Sequence, residues 1–220
     1  SPFITHPLSV ALLLAKLKVD YKCVVAAILH DVLEDTLYTV RKIETEFGED
    51  VAAVVEGLTK LEQIPSTDKD VLQAESFRKM LMAMSKDVRV LVVKLADRLH
   101  NMQTLCFLSQ KKQKRIATET LYIYAPMARR LGMSSINLEL ENLSFMYLQP
   151  LRFHAIDKAL RQVERHNVDF LNEVMHVICD TLKGAQLQYV GVSARRKHTY
   201  SVYKKMRFKR RAFSDINDVF

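Results

Sequence analysis

Apolar residues recur along most of this chain at the spacing of amphipathic or buried helices. The pattern predicts helices over residues 7–19, 24–33, 39–48, 49–61, 71–84, 88–105, 113–131, 134–148 and 152–182. Thr39 and Asp87 are residue types that cap helix N-termini, while Gly48 and Gly132 suit helix ends. Pro126 should kink its helix or lie near the start of a turn. The first 150 residues are therefore expected to be all helical.

The period of the pattern changes near the C-terminus. Residues 186–192 alternate in a manner typical of a strand, and a basic helix is predicted from about His198 to Phe208. This change predicts a second domain, of which the chain holds only the beginning.

Composition narrows the fold class and the cellular setting. Five Gly and five Pro in 220 residues are too few for the many turns of a sandwich or barrel, and a hydrophobic fraction of 49% supports a sizeable core. The longest apolar runs are far shorter than the roughly 18 residues that cross a bilayer, so no membrane span is expected. Three widely separated cysteines fit reduced thiols in an intracellular protein.

The net charge of +8 is concentrated in one segment. Residues 183–211 carry ten Lys or Arg and no acidic residue. Such a stretch attracts phosphates, either of nucleic acid or of a nucleotide. The alternative is a basic face that is merely solvated.

The segment HDVLEDT at residues 30–36 concentrates polar groups after an apolar run. On a helix, His30, Asp31, Glu34 and Asp35 would lie on one side of one turn. The carboxylates would repel one another, and a helix C-terminus would disfavour them further, unless a cation were bound. An exposed acidic helix end is the alternative, although residues 24–29 are too apolar for a freely solvated helix.

Two further residues are the best candidates to complete a metal site. His6 precedes Pro7, which disfavours helical geometry at His6 and lets it lie at the mouth of the first helix. Asp97 follows a buried apolar run, where a lone carboxylate is costly. The alternatives are a capping or surface role for His6 and an ion pair of Asp97 with Arg98 or Lys94. Two imidazoles and two carboxylates suit a divalent first-row metal, and spacing alone does not choose among Mn, Fe, Zn and Mg.

These motifs resemble the HD phosphohydrolases and, more closely, the hydrolase domain of the RelA/SpoT homologue family of alarmone enzymes. The resemblance rests on HP at 6–7, HDVLEDT at 30–36, ESFRKM at 75–80, KLADRLHNM at 94–102 and YAPMA at 124–128. It implies an all-α HD-domain helical bundle followed by the beginning of an α/β, synthetase-like domain. The implied boundaries are a hydrolase domain over residues 1–150, a helical connector over 151–183 and a synthetase fragment over 184–220.

The same resemblance implies an activity and its residues. The activity is hydrolysis of (p)ppGpp at its 3′-diphosphate, giving GDP or GTP and pyrophosphate in the stringent response, with one Mn²⁺ or, alternatively, Mg²⁺ or another divalent ion. The implied metal ligands are His6, His30, Asp31 and Asp97; the catalytic acidic pair is Glu34 and Asp35; and Asn101 and Thr104 lie near the nucleotide. No catalytic role is assigned to His100, His154, His166, His176 or His198.

The resemblance also bears on partners. The segment ARRKH at 194–198 resembles the opening of the family's synthetase domain, so the partners expected besides the substrate are the synthetase and regulatory domains of a longer parent protein. Neither a membrane nor nucleic acid is expected as a partner. The expected location is the bacterial cytoplasm, or the plastid stroma of a plant. Two other hypotheses remain: an HD phosphohydrolase for another nucleotide, and a catalytically silent nucleotide-binding domain.

Overall fold

The computed structural model describes residues 4–62, 82 and 87–216. Every regular element among them is a helix, which confirms the all-α prediction for this part of the chain. The chain divides into two compact units, residues 1–144 and residues 145–220. The finer assignment of residues 151–183 and 184–220 stays a prediction, and the predicted helix over 71–84 falls outside the described residues apart from Met82.

Within its described residues the first unit contains eight α-helices and most of a ninth, whose last four residues belong to the second unit. They are α1 (Thr5–Lys16), α2 (Tyr21–Leu29), α3 (Val32–Asp35), α4 (Val40–Phe47), α5 (Glu49–Glu62), α6 (Val88–Gln103), α7 (Gln110–Glu119), α8 (Ala125–Arg130) and α9 (Ser134–Leu148). A short 3-10 helix covers Leu105–Phe107 and a π-helical turn covers Thr120–Tyr124.

Helix α6 is the central element of this unit. It packs against α1, α2 and α5, and nine of its sixteen residues are buried. Gly57 on α5 permits one of these contacts, because a Cβ at that position would lie 2.8 Å from a methyl carbon of Val90. A helix surrounded in this way holds its side chains in fixed positions, including the polar ones near its C-terminal end.

The predicted helix ends are largely confirmed. The Thr39 side chain accepts a hydrogen bond from the backbone N–H of Lys42, and that of Asp87 accepts one from Arg89. Gly48 ends α4 with a φ of 90°, a left-handed value that glycine adopts without strain.

Two predicted helices are interrupted. The helix expected over 24–33 ends at Leu29, and α3 starts at Val32 because the carbonyl of Asp31 accepts the N–H groups of Glu34 and Asp35. The helix expected over 113–131 changes to a π-helical turn before Pro126, which lies at the start of α8. A proline lacks the N–H that a continuous α-helix would use, so the break falls where it was predicted.

The second unit contains two long helices, α10 (Pro150–Gly184) and α11 (Thr199–Lys209). Its core cluster consists of Phe145, Ile156, Leu160, Val202, Tyr203 and Ile216, and the rings of Phe145 and Tyr203 stack with centroids 4.5 Å apart.

The strand predicted over residues 186–192 is wrong: this segment has no regular secondary structure. A strand needs a neighbour to satisfy its backbone groups, and the described part of the chain contains no strand that could pair with it. The start of an α/β domain in this region therefore stays a prediction.

Candidate metal centre

Three side chains from three helices converge at one point of the first unit. His6 lies in the first turn of α1, His30 directly follows α2, and Asp97 lies on α6. His6 Nε2 lies 3.2 Å from His30 Nε2 and 3.2 Å from Asp97 Oδ1, and the three potential ligand atoms all lie within 4.8 Å of one another. The packing of α1 and α2 against α6 thus brings together three of the four predicted ligands.

The orientation of His30 is fixed by its own helix. Its Nδ1 donates to the backbone carbonyl of Ala27 at 2.7 Å, because a carbonyl can only accept. Its Nε2 therefore faces the carboxylates of Asp31, at 3.0 Å, and Asp97, at 4.0 Å. Burial opposes protonation of His30, yet these carboxylates raise its pKa above the ordinary value. The position between these groups attracts positive charge, and a mixed N/O donor set suits a divalent cation.

The Asp97 carboxylate is held by hydrogen bonds from two other side chains of α6. Its Oδ2 accepts from the Lys94 ammonium at 2.9 Å, and its Oδ1 accepts from the Asn101 amide at 2.7 Å. Burial alone would raise the pKa of Asp97, but the charge of Lys94 and the hydrogen bond from His6 hold it well below its ordinary value. The carboxylate is therefore ionised and pre-oriented for a cation.

Of the two ion pairs considered for Asp97, the structure shows the one with Lys94. Arg98 instead lies over the ring of Tyr124, with its guanidinium carbon 4.0 Å from the ring centroid, and bonds Glu119 at 3.2 Å. The predicted ligand role of Asp97 and its pairing with Lys94 are compatible, because they use different carboxylate oxygens.

Asp31 takes a position at the edge of the cluster. Its side chain is partly exposed, and its Oδ1 contacts His30 Nε2, but it is not among the three residues that converge most closely. It lies at the N-cap of α3, so its backbone and side chain mark the point where the chain changes direction.

The acidic pair lies on α3, with both side chains exposed. Glu34 and Asp35 occupy the first turn of this short helix, not the last turn of a long one, so the predicted unfavourable helix C-terminus is wrong. Partial burial, with the charges of Asp31 and Asp35, raises the pKa of Glu34, while the charge of Lys94 opposes the rise. The pair is thus accessible to a ligand, and Glu34 lies within electrostatic reach of His30 in the cluster.

Asn101 and Thr104 lie at the C-terminal end of α6, and both are exposed. The Thr104 hydroxyl donates to the backbone carbonyl of His100 at 3.1 Å. Both side chains therefore present polar groups to solvent, and Asn101 reaches the cluster through its bond to Asp97.

A family model described as "HD domain" matches residues 1–134. The chain belongs to the HD domain family. This match covers the described residues of the cluster and the acidic pair, and it agrees with the histidine and aspartate donors found there.

The HD domain continues into a longer region of similarity. Over its whole length the chain is 45% identical to the bifunctional (p)ppGpp synthase/hydrolase SpoT of Escherichia coli K12, of which it covers 31%. It is 42% identical, also over its whole length, to the guanosine-3′,5′-bis(diphosphate) 3′-pyrophosphohydrolase of Haemophilus influenzae, of which it covers 32%. The chain thus spans about a third of the length of these curated relatives.

A solved structure, described as a metazoan ortholog of SpoT that hydrolyses ppGpp, aligns at a TM-score of 0.47 and 25% identity, over 69% of this chain and 84% of that one.

Among the described residues, no helix is both long and apolar enough to cross a bilayer.

Two neighbours of the HD-domain cluster received no site role from the sequence. Lys94 was considered only as an ion-pair partner, and His100 was assigned no role. Both lie three residues from Asp97 on α6, and this spacing places side chains on one helical face. The spacing was thus a usable signal, but the contact of His100 with His6, at 2.7 Å, depends on how α1 packs against α6.

Proposed function

We propose that this chain is a metal-dependent hydrolase that removes pyrophosphate from the 3′-diphosphate of (p)ppGpp. The observation that carries the proposal is the convergence of His6, His30 and Asp97 beside an exposed acidic pair. The full-length similarity to proteins named as (p)ppGpp hydrolases supports the choice of substrate.

We assign one Mn²⁺ to the cluster, held by His6, His30, Asp97 and, as the fourth ligand, Asp31. The contact between Asp31 and His30 supports the fourth assignment, because a small movement of the carboxylate would bring it to the same cation. When bound, the ion would polarise a phosphate oxygen and favour ionisation of a water molecule.

The chain's own residues supply proton transfer and orientation. Glu34 takes a proton from the attacking water, a role favoured by a carboxyl pKa raised toward the working pH. Asp35 orients the same water from the adjacent position. Both side chains are exposed, so a diphosphate can reach them from solvent. The Lys94 ammonium keeps Asp97 ionised and offsets the negative charge that gathers around the reacting groups.

Asn101 and Thr104 contact the nucleotide in this proposal, because they present an exposed amide and hydroxyl at the end of the helix that carries Asp97. The bases and phosphates of a nucleotide offer several acceptors for such groups.

We further propose that residues 1–150 form the hydrolase domain, 151–183 a connector and 184–220 the first part of a synthetase domain. The bifunctional name of the Escherichia coli relative supports a synthetase and regulatory context for the whole protein. The bacterial relatives support reaction in the bacterial cytoplasm.

The test is an assay of the chain with ppGpp in separate Mn²⁺, Mg²⁺ and Zn²⁺ buffers, following pyrophosphate and GDP. We expect turnover that is highest in Mn²⁺ and lost on addition of a chelator. Phosphate release from another nucleotide, with ppGpp untouched, would instead identify a different HD phosphohydrolase. Binding of ppGpp without turnover in any of the three metals would identify a catalytically silent domain.

A further inference from the structure

His6 uses both nitrogens of its ring. Its Nε2 faces His30 and Asp97, while its Nδ1 lies 2.7 Å from Nδ1 of His100. The two rings of His6 and His100 have centroids 4.8 Å apart and are tilted by 48°, which directs nitrogen toward nitrogen instead of stacking the faces. His100 thus contacts a proposed metal ligand from the side away from the cluster.

A neutral imidazole has one N–H donor and one lone pair, so if one nitrogen of His6 carries the proton, the other must be the acceptor. Nε2 can offer a lone pair to a cation only if Nδ1 carries the proton. The same requirement at His30 is met by the Ala27 carbonyl, which accepts from Nδ1 at 2.7 Å. At His6, in the first turn of its helix, the group that Nδ1 contacts is the His100 ring and not a backbone carbonyl.

We infer that His100 is a positioning residue for His6 in the metal-bound state: there its Nδ1 lone pair accepts the His6 Nδ1–H and thereby directs His6 Nε2 at the metal. This inference rests on the metal site of the proposed function and concerns tautomer and ring orientation, not charge. Groups that hold the second nitrogen of a ligating histidine commonly contribute about 10- to 100-fold to metal affinity.

The burial of the two residues is consistent with this role. The His6 side chain is 27% exposed, so the packing around it leaves the ring freedom that a hydrogen bond can remove. His100 is only partly buried and lies on α6, the helix that also carries Asp97. One rigid helix therefore fixes both a ligand and the group that orients a second ligand.

The test compares His100→Ala and His100→Asn in the full chain, with His166→Ala as the control. Alanine removes the acceptor without disturbing a helix, whereas the amide oxygen of asparagine falls near the position of Nδ1. His166 is an exposed histidine whose Nδ1 contacts the carbonyl of Gln162 in its own helix. Free Mn²⁺ is followed by its electron paramagnetic resonance signal during titration, without nucleotide.

We expect His100→Ala to weaken Mn²⁺ binding by about 10- to 100-fold. His100→Asn should bind within a few-fold of the unaltered chain, His166→Ala should match it, and all should unfold at similar temperatures in chelator. Equal affinity of His100→Ala and the unaltered chain overturns the inference, as does failure of asparagine to rescue. Because the readout is metal binding, either result can be told apart from loss of ppGpp hydrolysis, which would overturn the proposed function.

Discussion

The metal cluster and the acidic pair belong to the same HD domain but differ in how the fold holds them. His30 and Asp97 are 5% and 3% exposed, and each is fixed by hydrogen bonds within its own helix. Glu34 and Asp35 are exposed and lie on a helix of four residues. The difference indicates that cation binding is pre-organised by the core, whereas the groups assigned to proton transfer are left where a substrate can reach them.

Packing is the physical origin of this difference. Asp97 lies on a helix that is buried against three others, so its carboxylate cannot turn away from the cluster. Burial strengthens its interactions with Lys94 and a cation, since the surrounding medium screens charges less than water does. The acidic pair has no such enclosure, and its orientation depends on the short turn that starts at Asp31.

The largest effect is expected from Asp97→Asn. An amide cannot supply the negative charge that the cation needs, so stoichiometric Mn²⁺ binding and metal-dependent hydrolysis should both be lost. The free energy of unfolding in chelator should also fall, by about 1.5 to 3 kcal/mol, because a buried charged hydrogen bond to Lys94 is weakened. Equilibrium dialysis and urea unfolding measure the two effects. Asp169→Asn, at an exposed aspartate on α10, should change neither.

Glu34→Gln should show that the acidic pair and the metal cluster have different roles. We expect turnover to fall by about 10²- to 10⁴-fold, the scale of a lost general acid–base group, while Mn²⁺ affinity stays within a few-fold. Steady-state assays at saturating Mn²⁺, with a parallel titration of the metal, test this. Glu44→Gln on α4 is the matched control at another exposed glutamate. Normal turnover in Glu34→Gln would indicate that Glu34 has a structural role and no catalytic one.

Asp31→Asn should give an intermediate result, because Asp31 joins the two regions. Its side chain is 24% exposed and contacts His30, and its backbone carbonyl starts the helix that carries the acidic pair. We expect Mn²⁺ affinity to fall by about 10- to 100-fold, less than for Asp97→Asn. The Asp31 side chain makes no capping hydrogen bond, and the variant keeps the backbone carbonyl that starts the helix, so α3 itself should be retained. Unchanged Mn²⁺ affinity would remove Asp31 from the ligand set.

The sequence predicted the regular helices and the interruption at Pro126, but it missed the interruption after Leu29. The helix over 134–148 is confirmed at both ends, because Gly132 and Pro150 bracket a continuous pattern. The break after Leu29 was missed because the apolar pattern runs through it to Leu33. That break is made by backbone hydrogen bonds to the Asp31 carbonyl, which leave no mark on hydrophobic periodicity.

In the site, too, the sequence did not predict contacts between residues that are distant along the chain. Residue types and the family resemblance singled out His6, His30 and Asp97, which the structure brings together. His100 could not be assigned, since its contact with His6 joins residues 94 positions apart. The alternation over 186–192 misled for a related reason: a strand depends on a neighbouring strand, which a local pattern does not contain.

The smallest effect on the cluster is expected from changes at Asp87, the N-cap of α6. Its side chain accepts from the backbone N–H of Arg89 at 2.8 Å and bonds the guanidinium of the same residue, which also contacts Asp50. Asp87→Ala should cost about 1 kcal/mol of unfolding free energy, while Asp87→Asn keeps the cap and should cost less. Mn²⁺ affinity should not change in either variant, because packing and not the cap holds Asp97.

The pH dependence of stability shows whether the ionised Asp87 carboxylate stabilises the fold. Hydrogen bonds from Arg89 lower the pKa of Asp87 below its ordinary 3.8. A carboxyl whose pKa is lower in the folded state stabilises the fold above pH 3.8 and loses that contribution as the pH falls through the folded-state pKa. The stability gap between the unaltered chain and Asp87→Asn should therefore be present at pH 6 and narrow toward pH 3. Urea unfolding in chelator measures this gap, and a gap that widens on acidification would contradict the ion pair.

If either variant of Asp87 instead lost Mn²⁺ affinity as strongly as Asp31→Asn, the position of Asp97 would depend on the helix end and not on the buried contacts of α6.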